Sequence, residues 1–174
     1  MNRIFLSLII IGSTLLRLPK MTTHFIPFID TTFTAISASC ITGLTSINIA
    51  ENFTQTGQIV IMVLVQLGGM SILSFATFFI TFLSHSYAGL RYQYLMKEML
   101  ETKKISETSF ILRQIFFTTF VIEGAGAILL YLYWQTTGLF SSDGQALFYS
   151  IFHAISAFNN AGFSLWSDNM MAPE

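Results

Sequence analysis

The residues of this chain best suited to chemistry occur twice. Ala35-Ile36-Ser37-Ala38-Ser39-Cys40-Ile41-Thr42-Gly43-Leu44-Thr45 reads against Ala154-Ile155-Ser156-Ala157-Phe158-Asn159-Asn160-Ala161-Gly162-Phe163-Ser164, and upstream Phe33 matches Phe152. Each copy opens Ala-Ile-Ser-Ala, places a glycine at the same offset, and follows it with a bulky apolar residue and a hydroxyl residue. The chemistry on offer belongs to the main chain. A glycine after a short apolar helix admits backbone conformations closed to other residues, so that successive carbonyls can be aimed at a single line. Stacked carbonyl oxygens replace the hydration shell of a cation without a fixed charge that would trap it. A word used twice in one apolar chain also suggests a structural unit repeated about a shared axis.

Other chemistries find little support. Cys40 is the single cysteine, which excludes an internal disulfide and a cysteine-based zinc site. His24, His85 and His153 lie far apart with no paired ligand spacing. No GxSxG, HExxH or phosphate-loop pattern occurs. A formal net charge of -1 offers no basic surface for nucleic acid. Residues are 53% hydrophobic and only 10% charged, against roughly 25% charged in soluble domains. With a mean hydropathy of +0.64, the chain reads as membrane-embedded.

The elements that must hold the two loops follow from the apolar runs. Gln58 to Phe82 carries no charge, and only Gln58 and Gln66 are large polar groups, which predicts a transmembrane helix over 58–82. A second is predicted over 110–134, with Arg113 near one end, Glu123 at mid-depth, and Tyr131, Tyr133 and Trp134 as an aromatic belt at the other end. Ile4 to Leu16 is followed by Arg17-Leu18-Pro19-Lys20 instead of a small-x-small cleavage site, which argues against a signal peptide and for a membrane helix over 4–19. Each repeated word is preceded by a segment too short to span. Pro27 to Ser39 and Gly144 to Phe158 reach roughly 20 Å as helices, against a hydrocarbon core of ~30 Å. Pro27 suits a first helical turn, Asp30 lies in that turn, and Asp143 sits where an N-cap belongs. These short helices should enter from one side and stop inside the membrane, turning their partly negative C-terminal ends toward its centre.

Charge placement orients the assembly. Ser84 to Glu107 carries Arg91, Lys97, Lys103 and Lys104, whereas 46–57 and 135–174 contain no Lys or Arg. The positive-inside rule puts the 84–107 loop in the cytoplasm and both repeated words toward the outside. Arg3 agrees with this, while Arg17 and Lys20 oppose it. The order predicts a first helix–pore loop–helix unit over 1–84, a cytoplasmic loop over 85–107, and a second unit over 108–174 that stops just after its loop. On this reading the sequence is part of a longer chain.

At these residues the sequence resembles the Trk/Ktr/HKT superfamily of potassium transporters, in particular the bacterial TrkH/KtrB-type pore subunits. The resemblance rests on Ser37-Ala38 with Thr42-Gly43-Leu44-Thr45, on Phe53 to Gly57 leading into Gln66-Leu67-Gly68-Gly69, and on Ala157-Phe158-Asn159-Asn160-Ala161-Gly162-Phe163-Ser164. It implies an all-α membrane protein whose full pore has four such units, of which about one and a half are present here. It further implies that Gly43 and Gly162 are filter glycines. The carbonyls of Ile41, Thr42, Gly43 and Leu44, with those of Asn160, Ala161, Gly162 and Phe163, are then the K⁺ ligands. In related plant proteins a serine at the first filter position accompanies sodium transport, so glycine in both loops favours potassium. The resemblance also implies potassium uptake through the inner cell membrane by a multi-pass subunit, with K⁺ as transported ligand and no covalent cofactor. The partners it implies are the absent pore repeats or a second pore subunit in a homodimer, and a cytosolic nucleotide-binding regulator.

Competing readings remain for several residues. Gly43 and Gly162 could be ordinary turn glycines, and the repeats could serve only the assembly of a non-conducting membrane protein. An intramembrane enzyme would need a catalytic pair at one depth, and Glu123 has no visible partner of that kind. A buried hydrogen bond to neighbouring backbone is the expectation for Glu123, with tuning of the pore or coupling to a proton as the alternatives. Gly68-Gly69 is expected to be a close helix-packing site, not a gate. His153, which matches Thr34 in the first copy, and Cys40 are expected to pack.

Overall fold

The computed structural model describes residues 2–70 and 105–166; there the regular structure is all helical, joined by turns and loops, with an isolated bridge between Thr22 and Phe53. Helix α1 (Asn2–Leu16) follows the first apolar run and ends just ahead of Pro19, where the residue before a proline is disfavoured in helix. Beyond it the Arg17 guanidinium lies 5.4 Å from the centre of the Phe28 ring. Helix α2 (Phe28–Cys40) is the first short segment, with Pro27 at its N-cap and Asp30 in its first turn. A small helix, α3 (Ile49–Asn52), is capped by Asn48, whose side chain accepts from the Ala50 amide. Helix α4 (Gln55–Gly69) starts at Thr54, whose hydroxyl accepts from Gly57 N–H and donates to the Lys20 carbonyl at 2.7 Å. The α1–α2 connection is thereby tied beneath the start of α4.

The second unit is built from two elements. Helix α5 (Ile105–Thr137) is one long helix, and its stretch Phe110–Thr137 is long and apolar enough to cross a membrane. Gly138 takes the left-handed conformation that ends it, at φ 63°. Helix α6 (Asp143–Phe158) then folds back, and Gln135 donates to Asp143 at 2.8 Å across the turn. Asp143 is the first helical residue and Ser142 the cap, one position earlier than expected. Within the first unit α2 packs on α1 and α4; within the second α6 packs on α5; α4 touches α6 and joins the two. The buried core crosses that joint, combining Leu16, Ala35, Ala38, Ile61, Leu64 and Val65 with Phe152, Ala161, Phe163 and Leu165.

Trp134 departs from its expected place in an aromatic belt. It is 7% exposed and packs edge-on against Phe140, His153 and Trp166, at 5.5, 5.6 and 6.2 Å between ring centres. Tyr133 does face outward. The turn at Gly138 brings α6 back along α5, so the indole has an aromatic wall to pack on. The predicted 85–107 loop and the second half of the predicted 58–82 helix lie largely outside the described residues.

Candidate functional site

Both short helices end in the same way. At the end of α2 the Ile41 amide donates to the Ala38 carbonyl and the Thr42 amide to the Ser37 carbonyl, at 3.4 and 3.0 Å. At the end of α6 the Asn160 amide donates to Ala157 and the Ala161 amide to Ser156, at 3.0 and 2.7 Å. This paired pattern is the Schellman motif, which requires a left-handed residue just past the helix. Ile41 at φ 57° and Asn160 at φ 55° supply it. Asparagine visits this region with little strain, while a β-branched isoleucine there is an outlier. Two residues later Gly43 and Gly162 also have positive φ, at 68° and 70°. The sequence repeat is therefore a repeat of backbone conformation, with positive φ at 41 and 43 and again at 160 and 162.

The two loops meet at their glycines. A β-carbon on Gly43 would collide with the Ala161 carbonyl oxygen and come within 3.3 Å of the Gly162 Cα, whereas one on Gly162 would find only the Gly43 Cα, at 3.8 Å. Gly43 is thus required both by its φ and by the carbonyl beside it, and Gly162 by its φ alone. In the second loop Ala161, Phe163 and Leu165 are buried while Asn160 and Gly162 are exposed, so that alternate residues face the core. In the first loop Thr42 and Leu44 are exposed and Ile41 and Gly43 half-buried, with Leu44 at 64% against 3% for the matched Phe163.

Each loop is fastened by side chains, and the fastenings differ. Thr42 donates its hydroxyl to Ser37 Oγ at 2.9 Å, whereas the matched Ser156 donates to the Phe163 carbonyl at 2.8 Å. The outer limb of the first loop is held by Ser46 donating to Asp30 at 2.7 Å. In the second, the Leu165 amide donates to His153 Nε2 at 3.3 Å, and Ser164 Oγ lies 3.4 Å from the same nitrogen. An accepting Nε2 puts the proton on Nδ1, which donates to the Tyr149 carbonyl at 2.7 Å. His153 therefore packs, as expected, and also bonds the loop.

Glu123 differs from its expected backbone pairing. Its carboxylate accepts from the side-chain amides of Gln66 at 3.0 Å and Asn159 at 3.2 Å. The same Asn159 Nδ2 also donates to the side-chain oxygen Oε1 of Gln66 at 3.2 Å and to the backbone carbonyl of Ile155 at 2.9 Å. All three elements α4, α5 and α6 meet in this group. The signal available in the sequence was that Gln66 and Glu123 are large polar residues within apolar stretches, and such groups must find partners. Gly68 and Gly69 are packing positions: a β-carbon on Gly68 would strike the Ser39 carbonyl at the end of α2, and one on Gly69 the Asn159 side chain at the end of α6.

The sequence of this chain matches the family model described as TrkH, cation transport protein, over residues 2–173. It is 41% identical to the Ktr system potassium uptake protein B of Bacillus subtilis, over 97% of this chain and 37% of that protein. It is 33% identical to the potassium/sodium uptake protein NtpJ of Enterococcus hirae, over 98% of this chain and 37% of that protein. Identity to the Ktr system potassium uptake protein B of Vibrio alginolyticus is also 33%, over 97% of this chain and 36% of the relative. The chain thus spans a little over a third of the length of these relatives. With nearly every residue matched and an all-helical fold, the chain belongs to the TrkH family of cation transport proteins.

Proposed function

We propose that the chain contributes two adjoining quarters of a potassium-selective filter to a multi-pass transporter of the cell membrane. The observation that carries this reading is the matched pair of loops, each with positive φ at two alternate positions after a short helix, meeting where the Ala161 carbonyl lies against Gly43. The ion-facing groups are the carbonyls of Ile41, Thr42, Gly43 and Leu44 in the first loop and of Asn160, Ala161 and Gly162 in the second. The Phe163 carbonyl is the fourth in that loop; it also accepts from Ser156 and keeps a second lone pair for the ion. Main-chain oxygens suit a weakly hydrated monovalent cation, which must be stripped of water yet remain free to leave. The C-terminal ends of α2 and α6 add partial negative charge beside the same loops.

Half a circumference of carbonyls encloses no pathway, so the exposed Leu44 side of the first loop is where further units pack. These come from additional repeats of the transporter or from a second copy. The stretch 85–107 faces the cytoplasm in this reading, where its basic residues are available to a nucleotide-binding regulatory subunit.

The experiment is cation uptake by the transporter that carries this chain, in cells deleted for their own potassium uptake. Growth on low potassium is expected, with preference for rubidium tracer over sodium. Gly43→Ser and Gly162→Ser should each weaken that preference, because serine resists the left-handed backbone. Unchanged relative uptake in both variants would sink the filter assignment.

A further inference from the structure

We propose that Glu123 is a positioning residue for ion discrimination: held by Gln66 and Asn159, it fixes the start of the second loop against the first unit. The inference deepens the filter reading above and rests on it. Glu123 is 5% exposed and lies in the apolar stretch Phe110–Thr137, where an ionisable side chain is costly to retain. Both of its oxygens are engaged, Oε2 by the Gln66 amide and Oε1 by the Asn159 amide. Apolar residues of similar size could hold three helices together as well or better. What a hydrogen-bonded group adds is a single direction and distance for each partner.

The partner whose placement matters is Asn159. It is the C-cap of α6, followed at once by left-handed Asn160 and then by Ala161, whose carbonyl fills the space at Gly43. The Asn159 side chain is clamped between the Glu123 carboxylate and the bare backbone of Gly69. One residue earlier on α4, Gly68 admits the Ser39 carbonyl from the last turn of α2. The single turn Gln66–Gly69 therefore touches the ends of both short helices, and Glu123 locks that turn to the second. Displacing Asn159 moves the Ala161 carbonyl relative to Gly43, which is the contact between the two loops. Since carbonyl spacing and field strength govern which cation is bound, loss of the lock should appear as lost discrimination.

The test compares rubidium and sodium uptake at matched membrane abundance, using the transporter that carries this chain. Glu123→Leu and Gln66→Leu are each expected to lower the preference for rubidium about tenfold, the size of coupling seen within buried networks. Glu123→Gln keeps one acceptor oxygen, which it can turn to the Asn159 amide while the Gln66 amide loses its partner, so it should restore part of what Glu123→Leu loses. Gly162→Ser reports on the filter itself. If Gly43→Ser and Gly162→Ser both leave the preference intact, the filter reading falls and this inference with it. If Gly162→Ser abolishes the preference but Glu123→Leu leaves it intact, the positioning role alone is overturned. Should Glu123→Leu fail to reach the membrane, Gln66→Leu decides, with unchanged preference refuting the role and a tenfold loss supporting it.

Discussion

Alanine at the two matched glycines should have unequal effects, and the structure sets the order. Both positions have positive φ, so each substitution costs about 1–2 kcal/mol for holding an L-residue in the left-handed region. At Gly162 nothing further is lost, because the new methyl meets only the Gly43 Cα at 3.8 Å, an ordinary contact. At Gly43 the methyl collides with the Ala161 carbonyl oxygen and lies 3.1 Å from its carbon. That carbonyl must retreat by about 1 Å to restore van der Waals distance. Its freedom to do so is small, because the Ala161 side chain is fully buried in the core and its amide is bonded to Ser156 at 2.7 Å. Overpacking of this kind typically adds about 1–3 kcal/mol. Thermal unfolding of the detergent-purified transporter should therefore fall further for Gly43→Ala than for Gly162→Ala. Potassium-over-sodium uptake should fall in the same order, since only Gly43→Ala pushes a proposed ligand out of place. Equal losses, or a greater loss for Gly162→Ala, would refute the claim that the loops touch in this way.

Three further outcomes are expected. Ile41→Asn should raise the thermal midpoint, because asparagine occupies the left-handed C′ position without the strain of a β-branched side chain, a gain of about 1 kcal/mol; a lower midpoint would mean that the isoleucine packing outweighs the strain. Gly68→Val should drive α4 away from the Ser39 carbonyl and cost about 1–3 kcal/mol, read as reduced accumulation in the membrane or a lower unfolding midpoint. Ser84→Cys and Ser106→Cys should resist membrane-impermeant thiol reagents in intact cells and react after permeabilisation, whereas ready labelling from outside would invert the proposed topology.

Much of the frame was legible because it depends on local rules. The two short helices end within a residue of their expected ends, since Schellman geometry and the residues that permit it are encoded within a few positions. The long apolar helix was equally visible from its run of residues, although it extends past 110–134 at both ends. What escaped was convergence across distance. Gln66, Glu123 and Asn159 are separated by 57, 36 and 93 positions, and no local pattern announces that three such residues share one buried point. Trp134 escaped for a related reason: a tryptophan near a helix end suits a membrane interface and an aromatic core equally well, and only the return of α6 decides between them.

The same comparison shows what is conserved between the two units and what is free to differ. Backbone conformation is the shared quantity: matched Schellman ends, matched left-handed residues, matched glycines. The side chains that hold this conformation are not matched. Asp30 and Ser46 fasten the outer limb of one loop, and His153 with Ser164 and Leu165 that of the other. Ser37 accepts from a side chain where Ser156 secures a carbonyl. If the loops act through main-chain oxygens, selection sees only where those oxygens point, and any set of supports that fixes them is sufficient. An aromatic wall backs the second loop, because Trp134 and Tyr149 pack on His153 and Phe140 and Trp166 pack on those two rings, while the first loop leaves Leu44 exposed. The second loop thus has an aromatic wall as well as its hydrogen bonds, while the first is held by Ser46–Asp30 and Thr42–Ser37 and leaves Leu44 exposed. If the filter reading holds, discrimination among cations should respond both to what packs beside the first loop and to the Gln66–Glu123–Asn159 contacts at the second.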